Sequence, residues 1–235
     1  CMESHNSKNT SQEHLMEFYK TFNEIKDNKY DGLIVTGAPV EKLKFEDVDY
    51  WNELTNIFDW ANTNVFSSFF ICWASQASLY YYYGVEKYQL KEKLTGVYHH
   101  HTNPEKMRRR ILRGFDYQFY APHSRYTSVK KEDIEKIDSL DILASSNDAG
   151  VYLVAEKDGS RFFVTGHPEY DVMSLHYEYV RDVKRGLNPD IPKNYYKDDD
   201  PTKKPVKSWR CHANAMYYNW LNYYVYQTTP YDLNE

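Results

Sequence analysis

Apolar residues along this chain follow two alternating patterns. Leu15, Phe18, Tyr19, Phe22 and Ile25 stand at helical spacing behind Thr10-Ser11-Gln12-Glu13, a capping box that predicts a helix start. Residues 31–36 form a short apolar run cut by Gly37-Ala38-Pro39, which predicts a buried parallel strand with a ligand-facing loop at its carboxyl end. Val48, Trp51, Leu54, Phe58 and Ala61 then share one stripe of a helix over 46–61. The run 64–71 reads as a strand entering Cys72, with a helix behind it over 74–83. This β-α-β-α alternation predicts an α/β fold, a doubly wound, mostly parallel sheet with helices on both faces.

From 86 to 127 the periodicity weakens and charge rises, which predicts loops and short elements capping the carboxyl edge of the sheet, a place for substrate residues. Strands over 141–144, 151–155 and 161–165 follow, separated by the turn-forming Asn147-Asp148-Ala149-Gly150 and Lys157-Asp158-Gly159. A helix is expected over 174–183, a long surface loop over 186–207 with its four prolines and Asp198-Asp199-Asp200, and a last helix over 208–226. There is no internal repeat. We expect a single domain over 1–235.

Hydrophobic residues make up 41% of 235, enough for one large α/β core. A net charge of −5, with basic residues scattered apart from Arg108-Arg109-Arg110, asks for neither nucleic acid nor an anionic membrane. The 24 tyrosines have few cationic neighbours, so they suit packed faces better than base stacking. Cys1, Cys72 and Cys211 cannot close a disulfide set and show no metal or redox spacing, which fits a reducing, cytoplasmic setting. No apolar run approaches the roughly 18 residues a membrane span needs. His99-His100-His101 point in different directions along the backbone with no carboxylate or cysteine at ligand spacing, so no metal site is expected.

The candidate chemistry centres on Cys72, placed between an apolar run and the small residues Ala74 and Ser75, like a nucleophile on a strand-to-helix turn. The run 161–165 empties into Gly166-His167-Pro168-Glu169, which supplies an imidazole and a carboxylate two residues apart. Cys72 as nucleophile, His167 as base and Glu169 as its orienter are the parts of a thiolate enzyme. The turn would offer the backbone N–H of Trp73 to an oxyanion, and the 37–40 loop a second donor at Val40. A helix N-terminus and an imidazole would favour ionisation of a thiol whose ordinary pKa is ~8.5. On spacing alone, a structural thiol at Cys72 and a backbone-satisfied loop histidine at His167 remain alternatives.

Six stretches carry a resemblance that spans the chain: residues 30–39 ending in Thr36-Gly37-Ala38-Pro39, Ile71-Cys72-Trp73-Ala74, residues 92–98 with Lys93, Ala121-Pro122-His123-Ser124-Arg125-Tyr126, residues 164–171, and the aromatic run 219–226. Together they resemble the homoserine O-acyltransferases of methionine biosynthesis, which share the fold of class I glutamine amidotransferases. The resemblance implies a ping-pong reaction in which Cys72 takes an acyl group from acyl-CoA and L-homoserine, deprotonated by His167, removes it. It implies homoserine contacts at Lys93, Ser124 and Arg181, no bound cofactor, acetyl-CoA as co-substrate, and a homodimer. The residue two after the loop proline selects the acyl group in this family, and here it is Glu41, whose carboxylate would repel and crowd a succinyl group but admit acetyl. Succinyl transfer, a hydrolase or amidotransferase on the same fold, and a silent fragment are the alternatives. Phe70 and Ala74 stand where amidotransferases carry glycines, which speaks against a glutaminase. Relatives also imply a further stretch ahead of Cys1 that includes the first strand and helix of the sheet, so an exposed sheet edge is expected.

Overall fold

The computed structural model describes residues 2–4 and 17–230. The capping box at 10–13 and Leu15 lie outside these residues. Phe22 and Ile25 are in a short helix α1, Phe22–Ile25, which has a capping box of its own between Thr21 and Glu24. Next come β1 (Tyr30–Val35), α2 (Trp51–Asn64), β2 (Val65–Ile71) and α3 (Trp73–Tyr83), each close to its expected place. The chain continues through β3 (Lys87–Thr102), β4 (Gln118–Val129), α4 (Lys131–Glu135), β5 (Leu140–Ser146), β6 (Gly150–Glu156) and β7 (Arg161–Val164). Helices α5 (Ser174–Lys184) and α6 (Arg210–Trp220) follow, and a π-helical turn, Leu221–Tyr226, extends α6.

The seven strands make one sheet in the order β1-β2-β7-β6-β5-β3-β4. Parallel pairing is confined to β1 with β2 and β2 with β7, so the expectation of a mostly parallel sheet holds for that end alone. The reason is the length of the connections. A parallel pair needs a crossover of a dozen or more residues, whereas the turns between Ser146 and Gly150 and between Glu156 and Arg161 are short and fold β5, β6 and β7 back on one another.

The larger departure lies between 86 and 127. Where loops were expected, β3 and β4 form a long antiparallel ribbon with a register shift between Gln89 and Leu94. Its outer part, Lys87 to Leu94, is largely solvent-facing on both sides, so the apolar-polar alternation that marks a half-buried strand is missing there. The inner part is buried, and β3 joins the main sheet by pairing His101 and Thr102 with Ser145 and Ala144.

Alternating side chains of β2 and β7 feed two cores, one on each face. Phe70 and Phe163 stack at 5.4 Å and pack with Trp51, Leu54 and Phe58 of α2 and Ala74 and Ala77 of α3. Phe69, Ile71, Phe162 and Val164 point the other way, onto Met216 and Trp220 of α6. Each buried aromatic contributes about 1.5–3 kcal/mol. Helices on both faces therefore hold the rigid ledge on which the β2-to-α3 turn sits.

The 186–207 segment is ordered and stitched to β3. Gly96 has a φ of 136°, and a Cβ there would meet the backbone N and O of Lys193 at 2.4 Å. That close approach lets Lys193 N donate to Thr95 O and Val97 N donate to Lys193 O. Tyr195 and Tyr196 bury against Val97, Leu175, Trp209 and Ala213 in a third, smaller core. At the opposite side of the molecule β1 is the sheet edge among the described residues, with Tyr30 38% and Ile34 46% exposed. No described helix is long and apolar enough to cross a membrane.

His100 of β3 and His123 and Arg125 of β4 are wholly buried. Burial holds His100 down to about 3 and His123 well below its ordinary 6.5. An unfolded chain would protonate both rings below about 6.5, while the folded chain keeps them neutral, so their contribution is complete above that pH and is lost as pH falls. We therefore expect the urea midpoint to fall between about pH 6.5 and 5, a window above the titration of ordinary carboxylates at ~4. A flat midpoint there would contradict the neutral pair.

Candidate active site

Cys72 occupies the junction of β2 and α3 with φ 52° and ψ −116°, a conformation that an L residue adopts only when its surroundings force it. Two anchors do so. Its N–H donates to Val164 O at 2.7 Å, extending the β2–β7 pairing into the turn, and its carbonyl accepts from Ser75 Oγ at 2.7 Å and Ser75 N at 3.1 Å. The turn sets the side chain at the carboxyl end of β2, at the positive end of α3. Trp73 and Ala74 supply the first two amides of that helix, which have no intrahelical acceptor. Val40 starts a turn closed by Leu43 N donating to Val40 O, in the loop that begins at Gly37 against Cys72.

His167 comes from the loop after β7. Its own N–H donates to Pro122 O at 2.9 Å, and Gly166 precedes it because a Cβ there would stand 2.8 Å from both Pro122 O and the ring of Tyr152. The Nδ1 of His167 lies 2.7 Å from Glu169 Oε1, so the other ring nitrogen is left for the thiol. The position a Cβ would take on Gly37 is 3.1 Å from Cys72 Cβ and 3.6 Å from His167 Cε1, which puts thiol and imidazole side by side. Tyr170 stacks on the imidazole with centroids 4.2 Å apart. Trp209 Nε1 in turn donates to Tyr170 O at 3.1 Å.

Burial alone would drive the His167 pKa down. The charge of Cys72, its hydrogen bond to the ring, and Glu169 outweigh that and raise it to about 10. The His167 ring thus holds its proton at neutral pH, flanked by Cys72 and Glu169.

Lys93, Ser124 and Arg181 gather around the carboxylates of α5, whereas Glu41 does not. Glu178 of α5 accepts from Ser124 Oγ and Tyr170 Oη and lies 3.4 Å from Lys93 Nζ. Lys93 also reaches Asp182 Oδ2 at 3.3 Å. A cavity of about 190 Å³ opens here, lined by Lys93, Thr95, Tyr126 and Asp182 among others. Arg181 is one step removed, with its Nε on Asp182 Oδ1 at 2.9 Å and its side chain half exposed. Glu41 is fixed against β4, where its Oε2 accepts from Tyr126 N at 2.7 Å and from Thr127 N and Oγ1 at 3.3 Å. The three adjacent histidines do separate things: His100 faces inward, whereas His99 and His101 share the other face of β3.

Glu178, Asp182 and Tyr170 escaped sequence reasoning. Positions 178, 181 and 182 share one face of a helix that the sequence does predict, so the i, i+3, i+4 spacing was the available signal.

A profile of the homoserine O-succinyltransferase family matches residues 1–231. The chain belongs to that family. Curated family members include a homoserine O-acetyltransferase of Catenibacterium mitsuokai, 67% identical over all of this chain and 75% of its own length. Others are homoserine O-acetyltransferases of Acetivibrio thermocellus, 58% identical over 99% of this chain and 75% of its own length, and of Clostridium acetobutylicum, 58% identical over 98% and 76%. All these names denote acyl transfer, and the chain is an acyltransferase. In fold it is similar to a glutamine amidotransferase of Thermotoga maritima, with a TM-score of 0.62 at 12% identity over 92% of this chain and 91% of that one. A glutamine amidotransferase of Methylobacillus flagellatus superposes with a TM-score of 0.56 at 15% identity over 82% and 76%. The class I glutamine amidotransferase-like fold implied by the sequence is thereby established.

The tight contact at Gly37 gives a direct test. Gly37→Ala should push its methyl between Cys72 and His167 and slow alkylation of Cys72 by iodoacetamide about tenfold or more, with the fold retained. An unchanged rate would mean that the two side chains do not share that space.

Proposed function

We propose that this chain transfers an acetyl group from acetyl-CoA to the hydroxyl of L-homoserine through a thioester on Cys72, as a cytoplasmic enzyme of methionine biosynthesis. The observation that carries this reading is the Cys72–His167–Glu169 constellation, joined through Tyr170 to the charged cluster around Glu178. Homoserine O-acyl transfer is the activity named for the family and its curated members.

The thiolate of Cys72 attacks the thioester carbonyl, with the amides of Trp73 and Val40 as oxyanion donors. The carbon–sulfur bond to CoA breaks, and the departing thiolate takes the proton of the His167 imidazolium. Acetylation also removes the Cys72 charge, the strongest influence raising the His167 pKa. The ring is then free to accept the proton of homoserine's hydroxyl while Glu169 holds it in place. The alkoxide attacks the acetyl carbonyl, Cys72 leaves as thiolate, and O-acetyl-L-homoserine departs. A zwitterionic amino acid suits the charged cluster beside the cavity: Glu178 offers a partner for the ammonium, while Lys93 and Arg181 are cations for the carboxylate and Ser124 adds a hydroxyl.

Acetyl rather than succinyl rests on Glu41, whose carboxylate is held in one place by the β4 backbone. A second carboxylate entering beside it would meet repulsion in a partly buried site. Succinyl transfer is the competing reading, favoured by the description attached to the family. We also take the enzyme to be a homodimer, which sedimentation giving a monomer mass would refute.

Incubation with acetyl-CoA without homoserine should give an acetyl adduct on Cys72 by intact-mass analysis, absent in Cys72→Ala, and homoserine should then discharge it. An unmodified Cys72 would overturn the thioester route. Glu41→Gly should gain succinyl transfer by at least about tenfold relative to acetyl, while Glu41→Gln should gain less. No gain in either would place Glu41 outside acyl selection.

A further inference from the structure

Behind the His167 loop lies a polar chain that the proposed reaction does not use. Arg125 Nε donates to His123 Nδ1 at 3.4 Å, His123 Nε2 faces His100 Nε2 at 3.0 Å, and His100 Nδ1 meets Tyr98 O at 2.9 Å. Both ends of this chain fix its direction. A guanidinium can only donate, so Nδ1 of His123 must accept and its proton sits on Nε2. A carbonyl can only accept, so the proton of His100 sits on Nδ1 and its Nε2 receives the bond from His123. One arrangement of hydrogens satisfies every atom in the chain, and it requires both rings to be neutral. A proton added to either ring would break one of these bonds in a fully buried site.

The chain touches the catalytic loop directly. A Cβ on Gly166 would stand 3.0 Å from Cε1 of His123, so that ring is the floor under the residue preceding His167. The neighbouring Pro122 O accepts the N–H of His167, and Ser124, next along β4, donates to Glu178. Residues 122–125 thus meet the imidazole loop on one side and the charged pocket on the other. The His100 ring is itself clamped, stacked 5.1 Å from His123 and packed 5.4 Å from Phe119 and 4.6 Å from Tyr152. Arg125 closes the far end with bonds to Thr127 O and Ala149 O.

We propose that Arg125, His123 and His100 are positioning residues, a one-way hydrogen-bond chain that sets the height of the His167 loop against Cys72. The two histidines are locked in opposite tautomers, Nε2–H in His123 and Nδ1–H in His100. This rests on the geometry of the loop and not on the identity of the acyl donor or acceptor.

Imidazole nitrogen shifts of the wild-type chain, labelled with 15N-histidine, test the tautomers without any variant. They should show His123 bare at Nδ1 and His100 bare at Nε2, unchanged between about pH 5.5 and 8. The reverse tautomer in either ring, or protonation within that window, would overturn the chain. Two amide variants test the role. In His100→Gln the side-chain oxygen can stand in for Nε2 as acceptor, so alkylation of Cys72 by iodoacetamide should stay within about twofold of wild type. His100→Asn can reach Tyr98 O but leaves His123 without its acceptor, and alkylation should fall about tenfold. Equal rates in the two variants would show that His100 only fills space, and would leave the acyl-transfer reading untouched. If either variant fails to fold, the wild-type tautomers decide.

Discussion

The backbone of Cys72 is forced into a conformation that L residues avoid, and the rest of the site depends on that constraint. The strain, about 1–3 kcal/mol for such a residue, persists because each neighbouring element is independently fixed. The two aromatic cores hold β2 rigid, Val164 O takes the Cys72 amide, and Ser75 secures the carbonyl from the first turn of α3. A relaxed turn would continue the strand or start the helix early, and the sulfur would then be buried in one core or the other. The bend presents it at the sheet's rim beside the loop that carries His167.

Charge is handled by the same economy of placement. Burial pushes the His100 and His123 imidazoles down, yet the equally enclosed His167 is pushed up because Cys72 and Glu169 flank it. Tyr170 then bridges two electrostatic regions. Its ring covers the imidazole while its hydroxyl donates to Glu178, so one side chain joins the Cys72–His167 pair to the charged cluster on α5. Arg125 sits behind both, its buried charge satisfied by carbonyls and a histidine rather than by a carboxylate.

Much of this was legible in the residues. The strand–turn–helix around Cys72, the loop bearing His167 and Glu169, and the helices over 46–61 and 174–183 follow from periodicity and turn chemistry, which act locally. The β3–β4 ribbon was not, because from Lys87 to Leu94 it is solvated on both faces and leaves no alternation to read. Mostly parallel pairing was over-extended from the first β-α-β unit, even though the short turns at 147–150 and 157–159 already demanded hairpins. In the site, contacts within two residues, such as His167 with Glu169, were visible in the spacing. Those between α5 and the ribbon, such as Glu178 with Ser124 and Lys93, depend on how distant elements dock, and only Lys93, Ser124 and Arg181 were foreseen, through family resemblance.

The account stands on Cys72 and His167 acting as one hydrogen-bonded unit, and a pH titration of the His167 imidazole, followed by nitrogen chemical shift in the native chain and in Cys72→Ala, tests it most directly. The pairing predicts that the native ring stays protonated far above its ordinary 6.5, to about 10, and that removing the sulfur brings deprotonation down substantially. A native ring that loses its proton near 6.5, or a titration unmoved by Cys72→Ala, would contradict it.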